Sequence, residues 1–280
     1  MRRPVDERRF LSTFASLPAP PSGLSRAAVL LARTECADAD PERVEAILQG
    51  LAARVREKGV RARTARERAE ALAAVLAGDR RLRGNQESFD DPRNSCIECV
   101  LDRRVGIPLA LSLVWMSVGR RAGWRVEGVG LPGHFVVRVH GAGGGGVLAD
   151  PFHEGEILGS AAVRRLLARV HGRPIRVSRR HLESLRPRDI LLRMLRNLRS
   201  CYQDRRDSSR ALAVAEDMLI LAPDLPEALR DRALLRLDIG DRQGGVSDLR
   251  RFLLDAPDGA GAEAARRLVS LLTDDAELPN

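Results

Sequence analysis

The stretch RVGIPLALSLVWMSVGRR, residues 104–121, decides the fold because it predicts one helix that is apolar on almost every side. Pro108 suits the first turn of a helix, where its missing N–H leaves no hydrogen bond unmade. Leucine, valine and tryptophan then recur on most faces, which is typical of a helix that other elements enclose. We therefore expect residues 106–121 to form the buried centre of a domain.

On the C-terminal side of this helix, the hydrophobic period changes from helical to alternating. Residues 124–131, 134–140 and 147–152 each predict a short strand, and the glycine run at 141–146 predicts a turn between two of them. The run lacks the lysine and the Ser/Thr of a phosphate-binding loop, so we interpret it as a hairpin. The expected result is a small antiparallel sheet packed on the buried helix.

On the N-terminal side, residues 24–76 carry apolar residues at helical spacing and predict a helical layer. Residues 82–94 are rich in glycine, asparagine, aspartate and proline, and they predict an irregular loop. Residues 1–23 lack sustained periodicity and end in a proline-rich segment. We expect them to be a flexible N-terminal arm.

The C-terminal third contains an internal repeat. The tripeptide Ala-Pro-Asp occurs at residues 222–224 and again at 256–258, which matches the period of about 34 residues of tetratricopeptide units. We expect residues 187–275 to form two such repeats with a closing helix, after an α+β domain at residues 24–180. Repeats of this type often bind peptides, which makes an unknown protein or peptide partner the expected one.

Composition limits the classes of function. The chain has 280 residues, of which 44% are hydrophobic, and no apolar run approaches the roughly 20 residues that span a bilayer. We expect a cytoplasmic protein with reduced thiols and no membrane partner. The net charge is +9, but arginines are interspersed with acids and aromatic residues make up only 3%. A nucleic-acid partner is therefore not favoured.

One arrangement of residues points to chemistry. A buried helix, a strand that opens with His134 and a strand that ends with Asp150 follow the order of the Cys-His-Asp core of transglutaminase-like and papain-like thiol enzymes. In such cores the cysteine lies at the helix N-terminus, the histidine accepts its proton and the carboxylate orients the imidazole. Pro108 occupies the position of that cysteine, so the expected nucleophile is missing.

These motifs resemble those of a known family. The resemblance rests on Gly84-Asn85, Asp91–Ser95, Arg104–Ser112, Pro132–Phe135 and Asp150–Phe152 with Gly155. Together they resemble the bacterial SirB family of transglutaminase-like proteins with tetratricopeptide tails, over about residues 24–275. The resemblance implies a transglutaminase-like α+β core with a small antiparallel sheet and an all-α tail, but no particular reaction. This chain has Cys96 where similar proteins tend to have an aromatic or aliphatic residue.

Two functions remain open at this point. The first is a non-catalytic interaction or regulatory module, a pseudoenzyme, whose residual cleft would be lined by Asn94, Arg138 and Trp115. The second is an amide hydrolase or acyltransferase that uses Cys96 or Cys99 with His134 and Asp150.

Cofactor and metal sites are not expected. A redox pair of Cys96 and Cys99 is disfavoured because the chain lacks the strand-then-helix context of such motifs. One group of side chains could meet near a sheet edge, although its spacing matches no recognised ligand motif: His134, His140, Asp150, His153 and Glu154.

Overall fold

A computed structural model describes residues 3–16 and 21–274. These residues divide into two compact units. The larger unit lies within residues 21–194, and the smaller one combines residues 3–16 with residues 195–274. Each unit buries apolar side chains of its own.

The secondary structure is mainly helical, with small sheets. The helices are α1 (Val5–Ser16), α2 (Pro21–Leu31), α3 (Pro41–Lys58), α4 (Ala65–Ala73), α5 (Ile97–Arg103), α6 (Pro108–Arg121), α7 (Ser160–His171), α8 (Pro187–Asp204), α9 (Ser208–Leu221), α10 (Pro226–Asp238), α11 (Arg242–Asp255) and α12 (Ala260–Asp274). The strands are β1 (Arg83–Gly84), β2 (Val105–Gly106), β3 (Val126–Val129), β4 (Val136–Gly141), β5 (Gly144–Asp150) and β6 (Glu156–Leu158). Strands β3 to β6 form one antiparallel sheet in chain order, whereas β1 and β2 pair in parallel.

Helix α6 is the centre of the larger unit, as its sequence predicts. Pro108 occupies its first turn, and every residue from Pro108 to Gly119 is buried. Helices α2 and α3 pack on it, and so do strands β3 and β4. A Cβ atom at Gly119 would lie 2.5 Å from Val126 Cγ2, so only glycine lets the helix approach β3 this closely.

The sheet contains the three predicted strands and one that the sequence does not reveal. Strand β3 falls within its predicted range, whereas β4 ends one residue later than predicted and β5 begins three residues earlier, at Gly144. Part of the glycine run therefore pairs in the hairpin between β4 and β5. Strand β6 and helix α7 were not predicted. The chain turns back into β6 through Glu154 and Gly155, which both have positive φ, and a strand of only three residues is too short to show alternation.

The expected flexible arm is wrong for residues 5–16, which form α1. Leu11 and Phe14 of this helix are buried, and α1 packs against α9 of the smaller unit. Its few apolar residues give a weak helical pattern, so tertiary packing decides its structure. Residues 17–20 of the predicted arm lie outside the described residues.

The smaller unit is all-α. Helices α9, α10, α11 and α12 pack in succession, each against the next along the chain. Three nearly buried aspartates join neighbouring elements through arginines, namely Asp217 with Arg3, Asp231 with Arg199, and Asp248 with Arg232 and Arg236. Such buried ion pairs fix how adjacent helices face each other, because an unpaired charge there would be costly. No helix among the described residues has both the length and the apolarity needed to cross a bilayer.

We expect Arg3→Ala to destabilise the smaller unit. The Arg3 guanidinium binds both carboxylate oxygens of Asp217, which is only 3% exposed. Removing one partner of a buried pair leaves the other charge unpaired, so we expect a loss of about 3 kcal/mol in the free energy of unfolding. Urea titration followed by circular dichroism measures it. Arg9→Ala on the exposed side of α1 is the control, and an equal effect of the two variants would contradict this role of Arg3.

Candidate functional site

The structure brings His134 and Asp150 together. His134 lies in the turn that leads into β4, and Asp150 ends β5. His134 Nε2 lies 2.9 Å from Asp150 Oδ2, and the two residues are 5% and 0% exposed. Two groups that are 16 positions apart in the sequence thus form one buried hydrogen-bonded pair.

The carboxylate of Asp150 also binds His153, which the sequence places only among five candidate metal ligands. His153 Nδ1 lies 2.8 Å from the same Oδ2 atom, while Oδ1 accepts the backbone N–H of Phe152 at 3.0 Å. We call His134, Asp150 and His153 the Asp150 cluster. The only hint in the sequence is the spacing of three residues between Asp150 and His153, which a tight turn brings to one side.

The electrostatics of the Asp150 cluster favour a charged carboxylate. Burial opposes the ionisation of Asp150, but the hydrogen bonds from His134 and His153 outweigh it and lower its pKa to about 2. The bond to Asp150 in turn raises the pKa of His153 above its usual value, against the effect of burial. The carboxylate therefore holds the two imidazoles in place and favours a proton on His153.

Aromatic rings surround the Asp150 cluster. The Phe152 ring stands edge-on to His134 and His153, with centroids 5.9 Å and 5.2 Å away. Phe89 lies against Phe152 at 6.2 Å, and it is 53% exposed. We call Phe89, Phe152 and His153 the aromatic rim, because Phe152 and His153 are half-buried while Phe89 faces solvent.

The start of α6 is linked to this rim through the short parallel strands. Gly106 of β2 pairs with Gly84 of β1, and a Cβ atom at Gly84 would lie 2.6 Å from the Phe152 ring. Pro108 follows two residues after Gly106 and is buried at the first turn of α6. It contributes no thiol, hydroxyl or titratable proton.

The two cysteines considered as substitute nucleophiles both have other contacts. Cys96 is buried, and its sulfur lies 3.8 Å from the carbonyl oxygens of Ala32 and Pro92. Burial raises the pKa of its thiol far above the usual value, which disfavours the reactive thiolate. Cys99 is joined to Cys36 by a disulfide, which corrects the expectation that all thiols are reduced. The sequence concealed this pair because 63 positions separate its members.

The residues expected to line a cleft have other contacts. Asn94 is buried; its side-chain amide binds Asn85 and Ser88, and its backbone carbonyl accepts the N–H of Ile107. Arg138 donates to the carbonyl of Leu182 at 2.6 Å. Trp115 is buried in α6, and its indole N–H has no hydrogen-bond partner among the described residues. Because Asn94 and Trp115 are buried, they support the site from within and do not line a cleft, in contrast to the prediction from the sequence.

The five-residue group considered for a metal does not assemble as a whole. Within the described residues, His134, Asp150 and His153 bring one ligand atom each to within 4.8 Å of one another. His140 instead bonds to Glu127 Oε2 at 2.9 Å, and Glu154 takes a left-handed turn conformation.

Comparisons with known proteins match both parts of the chain. A family model described as the transglutaminase-like superfamily matches residues 42–196, and a tetratricopeptide repeat model matches residues 198–270. The predicted fold class, a transglutaminase-like core followed by a tetratricopeptide-type tail, is confirmed.

Relatives with similar sequences cover most of the chain. A UPF0162 protein of Xylella fastidiosa strain Temecula1 is 36% identical over 82% of this chain and 83% of its own length. Protein SirB1 of Salmonella typhimurium is 21% identical over 74% of this chain and 76% of its own length. Among solved structures, menin is similar over 96% of this chain and 76% of its own, with 10% identity and a TM-score of 0.43.

We expect Asp150→Asn to lose stability in a pH-dependent way. The pKa of Asp150 is lowered to about 2 in the folded chain, against about 3.9 in an unfolded one. Its contribution is therefore fully present above pH 4 and disappears as the pH falls towards 2. The free energy of unfolding of wild type and Asp150→Asn, measured from pH 2 to 6, should differ by about 2 kcal/mol more at pH 6 than at pH 2. Asp90→Asn, at an exposed position, is the control, and a difference independent of pH would contradict the charged carboxylate.

Proposed function

The chain belongs to the UPF0162 family of SirB1-like proteins within the transglutaminase-like superfamily, and we propose that it is a non-catalytic protein-interaction module. In this proposal the aromatic rim and the tetratricopeptide repeats contact a protein or peptide partner. The Asp150 cluster would serve to hold the rim in place and would accept no proton from a reacting thiol. We place this role in the bacterial cytoplasm, which the composition and the bacterial relatives favour.

One observation carries the proposal: the helix that should present a nucleophile begins with Pro108. The remaining members of the expected triad, His134 and Asp150, are hydrogen-bonded to each other. Pro108, at the start of α6, has no side-chain group that His134 could deprotonate. General-base catalysis needs a donor within hydrogen-bond reach of the imidazole, and the proline ring supplies none. His134 and Asp150 thus form their pair, while the residue at the start of α6 offers no reacting atom.

The surface beside the cluster supports binding. Phe89 exposes more than half of its surface. Its ring contacts Phe152, and the Phe152 ring contacts the half-buried His153. Aromatic residues are enriched at the centres of protein interfaces, so an exposed ring that packs on further rings suits contact with a partner. A segment with an aromatic or aliphatic residue would suit this rim, because such side chains pack against exposed rings.

The rival function, a cysteine-dependent amide hydrolase or acyltransferase, needs Cys96 or Cys99 to act with His134. Both sulfur atoms make other contacts, since that of Cys96 lies beside two backbone carbonyl oxygens and that of Cys99 is bonded to Cys36. These contacts favour the interaction module over the enzyme.

Thiol-directed amide and ester probes test the absence of catalysis. We expect no labelling that depends on His134, so adding His134→Ala should leave the mass gained from the probe unchanged in wild type, in Cys96→Ala and in Cys99→Ala. Pro108→Cys places a thiol at the helix start and should gain labelling that disappears in the double variant with His134→Ala. Labelling of wild type that is lost in one cysteine variant and in His134→Ala would establish the enzyme instead.

Site-specific cross-linking tests the aromatic rim. With a photoreactive benzoylphenylalanine at position 89, we expect discrete adducts in cells, because this position faces solvent beside the Asp150 cluster. The adducts should weaken when Phe152→Ala is added, since that change removes the ring against which Phe89 packs. The same probe at Val60, which is also exposed, is the control. Identical adducts from positions 60 and 89, or none from 89, would contradict a binding role for the rim.

A further inference from the structure

Three of the four cysteines meet at a place that the proposed function does not use. The sulfur atoms of Cys36, Cys96 and Cys99 all lie within 4.8 Å of one another. Cys36 follows the helical turn Ala32–Thr34 after α2, whereas Cys96 and Cys99 lie at the start of α5. We call these three residues the cysteine cluster.

A disulfide accounts for only part of this arrangement. It joins Cys36 to Cys99 and leaves Cys96 as a buried thiol beside the bond. The Cα atoms of the joined residues are 7.7 Å apart, whereas disulfides usually hold them about 4.4–6.8 Å apart. Each Zn–S bond is about 2.3 Å long, so two thiolate sulfurs on one tetrahedral zinc ion lie farther apart than two sulfurs that are bonded to each other. The wide backbone separation therefore suits an ion between the side chains.

We propose that the reduced chain binds one soft metal ion of the Zn²⁺ class through Cys36, Cys96 and Cys99. The donor set consists of thiolates, which select Zn²⁺ or Cu⁺ over Mg²⁺ and Ca²⁺. Two of the ligands have the Cys-x₂-Cys spacing of zinc sites, and the third comes from a separate segment, as in many such sites. Three thiolates occupy three of the four positions that zinc takes and leave one for water or another ligand.

The three cysteines are buried to a degree that is compatible with metal binding. Cys96 is enclosed, while Cys36 and Cys99 are half-buried, so the three sulfurs lie just beneath the surface of the larger unit. An ion could reach them without unfolding the helices. Burial that disfavours a lone thiolate is offset by a bound cation, which replaces the proton and keeps the sulfur ionised.

The ion would connect two parts of the framework around α6. The turn that carries Cys36 follows α2, which packs on α6, and α5 leads through Arg104 and β2 to Pro108. A metal bridge between them would stiffen the start of α6. Metal binding and the disulfide exclude each other, because both require the sulfurs of Cys36 and Cys99.

Metal titration of the full chain tests this site. Protein reduced with a phosphine is mixed with Zn²⁺, freed of excess metal by gel filtration and weighed by native mass spectrometry. We expect one zinc per chain. Co²⁺ in place of Zn²⁺ should give the sulfur-to-cobalt charge-transfer absorption of thiolate ligation. Protein that keeps the disulfide should bind neither ion at this site.

Matched variants locate the ion. Cys36→Ser changes a half-buried residue in a turn, so this variant should fold. Each of the single variants Cys36→Ser, Cys96→Ala and Cys99→Ser should weaken metal binding by about 100-fold or more, since even outer partners of a metal site contribute 10–100-fold. Cys201→Ser in α8 is the control and should bind as wild type does. Reduced protein that retains no metal, or binding that survives Cys36→Ser and Cys99→Ser, would overturn the proposal. Binding that is lost in His153→Ala instead would place the ion in the Asp150 cluster.

Discussion

The enclosure of α6 is the constraint on which the larger unit depends. A helix that is buried at every position from Pro108 to Gly119 must be covered on all sides, and no single neighbouring element can do this. Helices α2 and α3 cover it from one direction, while β3 and β4 cover it from another. Glycines occupy the closest approaches, since a Cβ atom at Gly128 would lie 2.7 Å from the Phe135 ring and 3.0 Å from the sulfur of Met116. The sheet and the helical layer are therefore both positioned by their packing on one helix.

The sequence predicts the parts of this structure that are local. The buried helix, the three strands and the identity of His134 and Asp150 follow from periodicity over short windows and from motif order. The comparisons confirm the fold class, and the structure places the two side chains in one hydrogen bond. The tetratricopeptide period is equally local, because it repeats within the chain itself.

What the sequence does not reveal depends on contacts between distant segments. Helix α1 is stabilised by packing on α9 and by the bond from Arg3 to Asp217, more than 200 positions away. The approach of Cys36 to Cys99 likewise follows from the packing of α2 on α5. Asn94 and Trp115 were expected near a cleft because of their polarity and size, but hydrogen bonds to the loop bury the first, and the enclosure of α6 buries the second. His153 was named as one of several candidate ligands, and only the turn after Asp150 shows which of these candidates meet.

The hydrogen bonds of the Asp150 cluster give His134 and Asp150 a structural role that is independent of any reaction. A buried carboxylate is costly unless hydrogen bonds satisfy it, and here two imidazoles and one backbone N–H do so. Replacing either His134 or Asp150 would leave a buried polar group without its partner, so stability alone is a reason to keep both. Pro108 is consistent with the same reasoning, because proline in the first turn fixes φ for the helix and reduces the freedom of the unfolded chain. The presence of His134 and Asp150 is therefore no argument for catalysis in this chain. The proposed binding role rests instead on the aromatic rim, above all on Phe89, which is 53% exposed.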